Sequence, residues 1–517
     1  MLENKEITSV DLVNIFSQRA QQIGQELNII TELNYTEAIQ LAIQCDELRQ
    51  KNPENIKNLH LFGIPISIKE TLEQKGFVCT IGCVSRINDE PSKEDGFNIS
   101  LLKKQGAIPF IRTNIPQLAM TSESYNRLYG RVQNPWNIQK SAGGSSGGEG
   151  AAIAARISPL GIGSDIGGSI RIPAAYCGVY GFKFTSNRGL SKGHTYLTDF
   201  LNGQQAILLS VGPIGKSVDD LILVMKCFND QKAHQQAEID KKDVFLLIKE
   251  IDDKVINNKN KQRIGYFKTL QFIDASLANQ RAVEISLEKL KELGHELIEI
   301  EIPFQLEIMQ CYFRILMSDG LQGVHKLLKG EGFIREYKQM VTLASLPQFL
   351  GVFVSLILGF LGQKRLQKLI ETFKELPASE YVSTCYKIQI LKQKFIEIFQ
   401  KNNISSILCP SSGTPAFSHG KNAETVLSCY YNFMWNLLDF PAGVLPITTV
   451  LENEQHYKNS LIKDILSKKI DQFMKGSMGM PVGIQVVALP NQDEVALNIM
   501  KQIDEKVQFY KNYNYPI

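Results

Sequence analysis

The chain has 517 residues, 44% hydrophobic and 21% charged, with a formal net charge of +3. This is an ordinary globular balance, and so small a charge over so long a chain gives no basic field for nucleic acid. The length suits two to four ordinary domains or one large α/β unit, and the nine scattered cysteines suit reduced, structural thiols rather than a metal cluster or disulfide framework.

The N-terminus, MLENKEITSVDLV, lacks a basic region followed by an apolar stretch, so no secretory signal is expected in this chain. The first forty residues read as helical, with Ser9-Val-Asp as the N-cap region and Leu12, Ile15 and Phe16 on the apolar face. From Leu61 the pattern changes to short apolar runs closed by glycine or proline, LFGIPISIK and GAIPFIRTNIP, which predict buried strands. The polar stretch 230–263 is expected to be a surface insertion. In 282–303, AVEISLEKLKELG predicts a helix with Val283, Leu287 and Leu290 on one face and Gly294 ending it, followed by a strand in HELIEIEIP. Alternating helices and strands favour an α/β class. Between Val341 and Gly362 the sequence carries no charge, and Lys364, Arg365 and Lys368 follow it, placing positive charge where phospholipid headgroups would be. A buried core or dimer helix, a membrane span and an interfacial segment all compete for that stretch; Pro347, Gly351 and Gly359 interrupt it and argue against a span.

The densest chemical signal lies between Ser141 and Lys183. Nine of the 28 residues from Ser141 to Gly168 are glycine, so backbone must approach something closely there. Neither GxxxxGK[ST] nor GxGxxG occurs, which leaves nucleotide binding unsupported. Gly143 to Gly147 fits G-x-S-x-G with Ser145 central, but the seven histidines stand in no informative context for a histidine base. Lys69, on the apolar run GIPISIKE, offers another base, since an ammonium held away from water loses its proton more readily.

GIPISIKE, GGSSGGEGA and GSDIGGSIRIPAA stand in this order, and with them the chain resembles the amidase-signature family. The resemblance implies one large mixed, twisted β-sheet surrounded by helices, a single catalytic domain over 1–517, and amide hydrolysis through an acyl-enzyme without metal or cofactor. Residue by residue it implies Ser169 as nucleophile, Ser145 as the bridging serine and Lys69 as base. It implies backbone amides of Ile166, Gly167, Gly168 and Ser169 as the oxyanion hole, with Ser146 and Asp165 orienting them and Arg171 as a structural anchor, against a plain surface ion pair as the alternative for Arg171. TNIPQ, NPW, VGPIGKSVDDL, MSDG, LLDFPAGVLPITTV and MGMPVGIQVVALP extend the likeness to the fatty-acid amide hydrolases within that family. That branch implies a lipid amide substrate, with Leu118, Ala119, Met120 and Ser122 at the acyl-channel wall. It also makes 341–362 a membrane-binding cap on the cytoplasmic side of an intracellular membrane, and is compatible with a homodimer. A soluble amidase for short-chain or peptide amides, and a catalytically dead peripheral membrane or interaction protein, are the rival readings.

Overall fold

The computed structural model describes residues 1–188, 193–195, 204–229, 249–457 and 461–517. Most of the polar stretch 230–263 lies outside the described residues. The remainder of it forms a short helix, Asp253–Ile256, and the start of a strand.

Eleven strands form one mixed sheet. In chain order they are β1 (Ile30–Leu33), β2 (Pro65–Lys69), β3 (Ile108–Thr113), β4 (Gly161–Asp165), β5 (Tyr180–Lys183), β6 (Ser210–Gly215), β7 (Arg263–Tyr266), β8 (Glu296–Glu299), β9 (Ser406–Pro410), β10 (Ala442–Thr449) and β11 (Pro481–Ala488). Across the sheet they run β1-β3-β2-β4-β6-β5-β10-β11-β9-β7-β8. The pairs β2/β3, β2/β4, β7/β9 and β7/β8 are parallel, and the centre from β4 to β9 is antiparallel. The inner strands are buried along their whole length, which is why they read as continuous apolar runs without alternation.

The helices that matter for the site are α1 (Ser9–Arg19), α2 (Gly147–Ala154), α3 (Arg171–Cys177), α4 (Leu277–Glu292), α5 (Gln305–Leu316), α6 (Arg335–Ala344), α7 (Gln348–Phe360), α8 (Lys364–Ile370) and α9 (Tyr430–Leu437). Helix α4 and strand β8 match the expected unit, with Val283 and Leu290 buried and Gly294 in the left-handed region at φ +85°. The first forty residues match in part: α1 forms and Phe16 packs on the core, but the cap, the apolar face and residues 30–33 differ. Thr8, not Ser9, caps α1, because its hydroxyl accepts the Asp11 N–H while the Asp11 carboxylate accepts the Thr8 N–H. The buried face of α1 carries Val13, while Ile15 is exposed, and residues 30–33 are an edge strand paired with β3.

The uncharged segment is two helices, not one. Pro347 separates α6 from α7, and the 13 residues of α7 reach about 20 Å, short of a bilayer core. Among the described residues no helix is long and apolar enough to cross a membrane. Of the basic residues that follow, Arg365 is buried and pairs with Asp464, its Nε 2.8 Å from Oδ2. It therefore belongs to the interior and not to a headgroup-facing cluster. Lys368 pairs with Glu371 at 2.9 Å, and Lys364 is exposed. None of the nine cysteines forms a disulfide, and eight are buried.

Candidate active site

Strand β2 lies between two parallel neighbours, so its last residue, Lys69, emerges inside the protein and not at its surface. Its side chain is 1% exposed. Nζ lies 2.8 Å from Ser145 Oγ, 2.9 Å from Ser164 Oγ and 3.5 Å from the Ser164 carbonyl. Burial pushes the Lys69 pKa down to about 7, outweighing the pull of Asp165, Glu149 and Glu70 toward the charged form. A neutral amine is thus available near neutral pH, as the isolated lysine of the apolar run suggested.

Ser145 follows the cis peptide bond between Gly144 and Ser145. The loop passes so close to the 121–123 backbone that a Cβ on Gly144 would fall 2.5 Å from the Thr121 carbonyl oxygen. No side chain fits there. The next residue, Ser146, donates its backbone N–H to the Ser169 carbonyl at 3.1 Å, which joins this loop to the turn after β4. The Ser146 hydroxyl faces the Ser164 carbonyl at 3.4 Å, spanning the same junction.

Asp165 organises that turn. Its Oδ1 accepts the Gly168 N–H at 2.7 Å and Arg171 Nη2 at 3.0 Å, and its Oδ2 accepts the Ile170 N–H at 3.2 Å and Arg171 Nε at 3.0 Å. Burial opposes ionisation of Asp165, but the Arg171 guanidinium and the Asn436 amide outweigh it and hold the carboxyl well below the usual range. Arg171 continues to Gln485 on β11 and Asn436 on α9, at 2.7 and 2.6 Å. Neither residue is part of a surface ion pair; both are fully buried. One expectation changes here. The Gly168 N–H is already committed to Asp165, so it is not a free oxyanion donor. Gly168 has φ +109°, and its own contribution is to let the chain turn.

Two polar residues beside Lys69 carried no signal of their own in the sequence reading. Ser164 sits inside GSDIGGS and is recoverable, because strand alternation turns it to the face opposite Asp165. His194 was grouped with uninformative histidines, yet its Nε2 lies 2.9 Å from Ser164 Oγ and 2.9 Å from Thr71 Oγ1. Nothing in its sequence surroundings pairs it with Lys69, 125 positions away. Glu149 on α2 accepts hydroxyl protons from Ser67 and Thr113 at 2.5 and 2.6 Å, and burial raises its pKa to about 7.

Ser169, Gly144, Ile166 and Gly167 line a cavity of about 470 Å³. Its walls are largely apolar, with Tyr312, Phe313 and Leu316 from α5, Leu358 from α7, Phe373 and Phe433, while Glu336, Asn422, Glu424 and Lys469 add polar and charged groups. Tyr312 stacks on Phe433 with ring centroids 4.5 Å apart, and its hydroxyl donates to the Ile166 carbonyl at 3.2 Å. Ala119, Met120 and Ser122 line the cavity, whereas Leu118 is buried in the core. Among the described residues no cluster of metal-ligating side chains occurs.

The mixed sheet wrapped by helices, with its buried Lys69–Ser145 contact, is that of a hydrolase of carbon–nitrogen amide bonds, as its likeness to known proteins shows. The chain belongs to the amidase-signature family: the Amidase family profile matches residues 11–497. It is 33% identical to fatty-acid amide hydrolase 1 of Sus scrofa over 456 residues, covering 86% of this chain and 75% of that one. It is 32% identical to fatty acid amide hydrolase 1 of Caenorhabditis elegans over 518 residues, covering 97% and 86%. A solved fatty acid amide hydrolase superimposes with a TM-score of 0.83 at 25% identity, covering 98% of this chain and 83% of that one.

Proposed function

We propose that this amidase hydrolyses long-chain fatty-acid amides, N-acylethanolamines or primary amides, through Ser169, Ser145 and Lys69. The observation that carries the reading is the neutral-prone Lys69 amine, 2.8 Å from the Oγ of Ser145, whose neighbour Gly144 lines the same largely apolar cavity as Ser169. A serine hydroxyl attacks only as it loses its proton. Ser169 passes its proton to Ser145, Ser145 passes its own to Lys69 Nζ, and the Ser169 oxygen bonds to the amide carbon. The backbone N–H groups of Ile166, Gly167 and Ser169 face the developing oxyanion, each contributing on the order of 3 kcal/mol to the transition state. The proton then returns to the amide nitrogen, the C–N bond breaks, and the amine leaves. Water, deprotonated along the same route, cleaves the acyl ester and restores Ser169.

A cavity of this size falls within the range typical of small-molecule sites, and its predominantly aromatic and aliphatic lining supports an acyl chain as occupant. The outer face of α7 supports a second element of the reading, attachment to a lipid surface. Phe349, Val352, Phe353, Leu356 and Phe360 are exposed there, Phe360 at 92%. The inner face of the same helix supplies Leu358 to the cavity, so a membrane-dissolved substrate would enter beside the surface in which it is dissolved. A panel of oleoyl, arachidonoyl and acetyl amides of one amine tests the reading. Rising kcat/KM with chain length is expected, and equal or better turnover of the acetyl amide would overturn it.

A further inference from the structure

We infer that His194 is a positioning residue for the amide-hydrolysing site: it draws the Ser164 hydroxyl proton away from Lys69 and so leaves the lysine lone pair to Ser145. The inference rests on the Lys69–Ser145–Ser169 reading above. It begins with the valences of a neutral lysine, which has two N–H donors and one lone pair. Three oxygens surround Nζ: Ser145 Oγ at 2.8 Å, Ser164 Oγ at 2.9 Å and the Ser164 carbonyl at 3.5 Å. The carbonyl only accepts. If the lone pair is to receive the Ser145 proton, both N–H groups must point to Ser164, and the Ser164 hydroxyl must accept there. Its own proton then needs another destination.

His194 Nε2, 2.9 Å from Ser164 Oγ, is that destination when the ring carries its proton on Nδ1. Thr71 Oγ1, also at 2.9 Å, shares the same lone pair. Burial, followed by the charge of Lys69, holds His194 well below the ordinary histidine pKa, so the ring is neutral and able to accept. The opposite tautomer would turn Nε2 into a donor. Ser164 would then direct its proton at Lys69 and occupy the lone pair that the reaction needs.

The backbone holds His194 in this place. Glu73 donates its N–H to the Gly193 carbonyl at 2.9 Å, and Thr195 donates to the Thr71 carbonyl at 3.0 Å. Gly193 packs on Gly96 so closely that a Cβ would fall 2.3 Å from the Gly96 Cα. His194 itself is 1% exposed. The groups that act on Lys69 are Glu70, the residue after it, Glu149 from α2, Asp165 from β4 and His194. Of these, His194 is the one whose contact runs through a hydroxyl bonded to Nζ.

The test measures fluorophosphonate labelling and amide turnover against pH in the full chain for His194→Leu, His194→Gln and Ser164→Ala, and for the His194→Leu/Ser164→Ala double variant. In His194→Leu the Ser164 proton turns to Lys69. The plateau rate should fall roughly tenfold or more, a fraction of what a positioned base supplies. The acid limb should move to lower pH, with KM within twofold of wild type. Gln at 194 places an amide oxygen near the Nε2 position and should restore most of the plateau. In the Ser164→Ala background the further loss from His194→Leu should vanish, because the hydroxyl it controls is gone. A His194→Leu enzyme with wild-type plateau and limb would overturn the inference, as would an undiminished loss in the Ser164→Ala background. If His194→Leu fails to fold, the Gln variant decides: a plateau tenfold or more below wild type in folded protein overturns the inference. Persistent labelling of Ser169→Ala would instead overturn the underlying catalytic reading.

Discussion

The backbone N–H of Ser146 donates to the carbonyl of Ser169 at 3.1 Å, and this one bond joins the loop carrying Ser145 to the turn carrying Ser169. The two segments are 23 positions apart and reach the site from different elements, one entering α2 and the other leaving β4. Main chain rather than side chain therefore sets their register, and removing the Ser169 hydroxyl leaves this bond in place. Ser169→Ala is expected to abolish fluorophosphonate labelling while its unfolding midpoint stays within a few tenths of a kcal/mol of wild type, as for a small substitution that opens no sizeable cavity. Labelling that persists would shift the nucleophile to Ser145.

Lys69 gives a pH dependence of known sign. Its pKa is lowered to about 7 by burial, and the neutral form is the base. Below pH 7 the neutral fraction falls about tenfold per unit, so kcat/KM should rise with pH up to about 7 and then level off. Lys69→Ala should lose roughly 10²- to 10⁴-fold in rate and lose that limb with it. A variant that kept the wild-type limb would assign the titration to another group, with Glu149, also near 7, as the first to examine.

Much of this site was legible in the sequence because its constraints are local. Lys69 stands out as one charge in an apolar run, and the loops of Ser145 and Ser169 stand out as glycine clusters, since close backbone approach excludes every side chain. The sheet was legible for the same reason, its inner strands being apolar throughout. What stayed hidden depends on contacts between distant segments. His194 meets Ser164 through a backbone bridge to 71–73 that no local pattern encodes. Gly168 loses its donor to a carboxylate three residues back. Arg365 read as a headgroup partner because its interior partner, Asp464, lies 99 positions away. The strand at 30–33 was missed because its pairing with β3 overrides a weak helical pattern.

The pair of Asp165 and Arg171 bears on stability and not only on catalysis. Both are fully buried, and Arg171 also ties β11 and α9 to the turn. Arg171→Met removes one partner and leaves Asp165 ionised with no cation beside it. Breaking a buried pair in this way typically costs about 3–5 kcal/mol. Urea unfolding should show a loss of that size, and a change under 1 kcal/mol would mean that the Asn436 amide and the backbone N–H groups suffice to hold Asp165.

Helix α7 separates two roles that its sequence merges. Leu356 and Phe360 are exposed on its outer face, while Leu358 lines the cavity. Each large apolar side chain moved from water into the acyl boundary contributes about 1.5–3 kcal/mol, so a carboxylate in place of two of them should cancel most of the surface affinity. Leu356→Glu with Phe360→Glu is therefore expected to release the protein from phospholipid vesicles. It should lower turnover of vesicle-dissolved oleoyl amide by at least about tenfold, the rate equivalent of about 1.4 kcal/mol, and leave hydrolysis of a short soluble amide unchanged. Leu358→Ala should do the reverse, keeping vesicle binding while weakening the discrimination between long and short acyl chains, because it enlarges the cavity without touching the outer face. Cosedimentation with vesicles and the two assays, run on the same preparations, separate these effects. Vesicle binding that survives the double glutamate variant in folded protein would remove the lipid-surface role from α7 and leave its outer face to be covered in some other way.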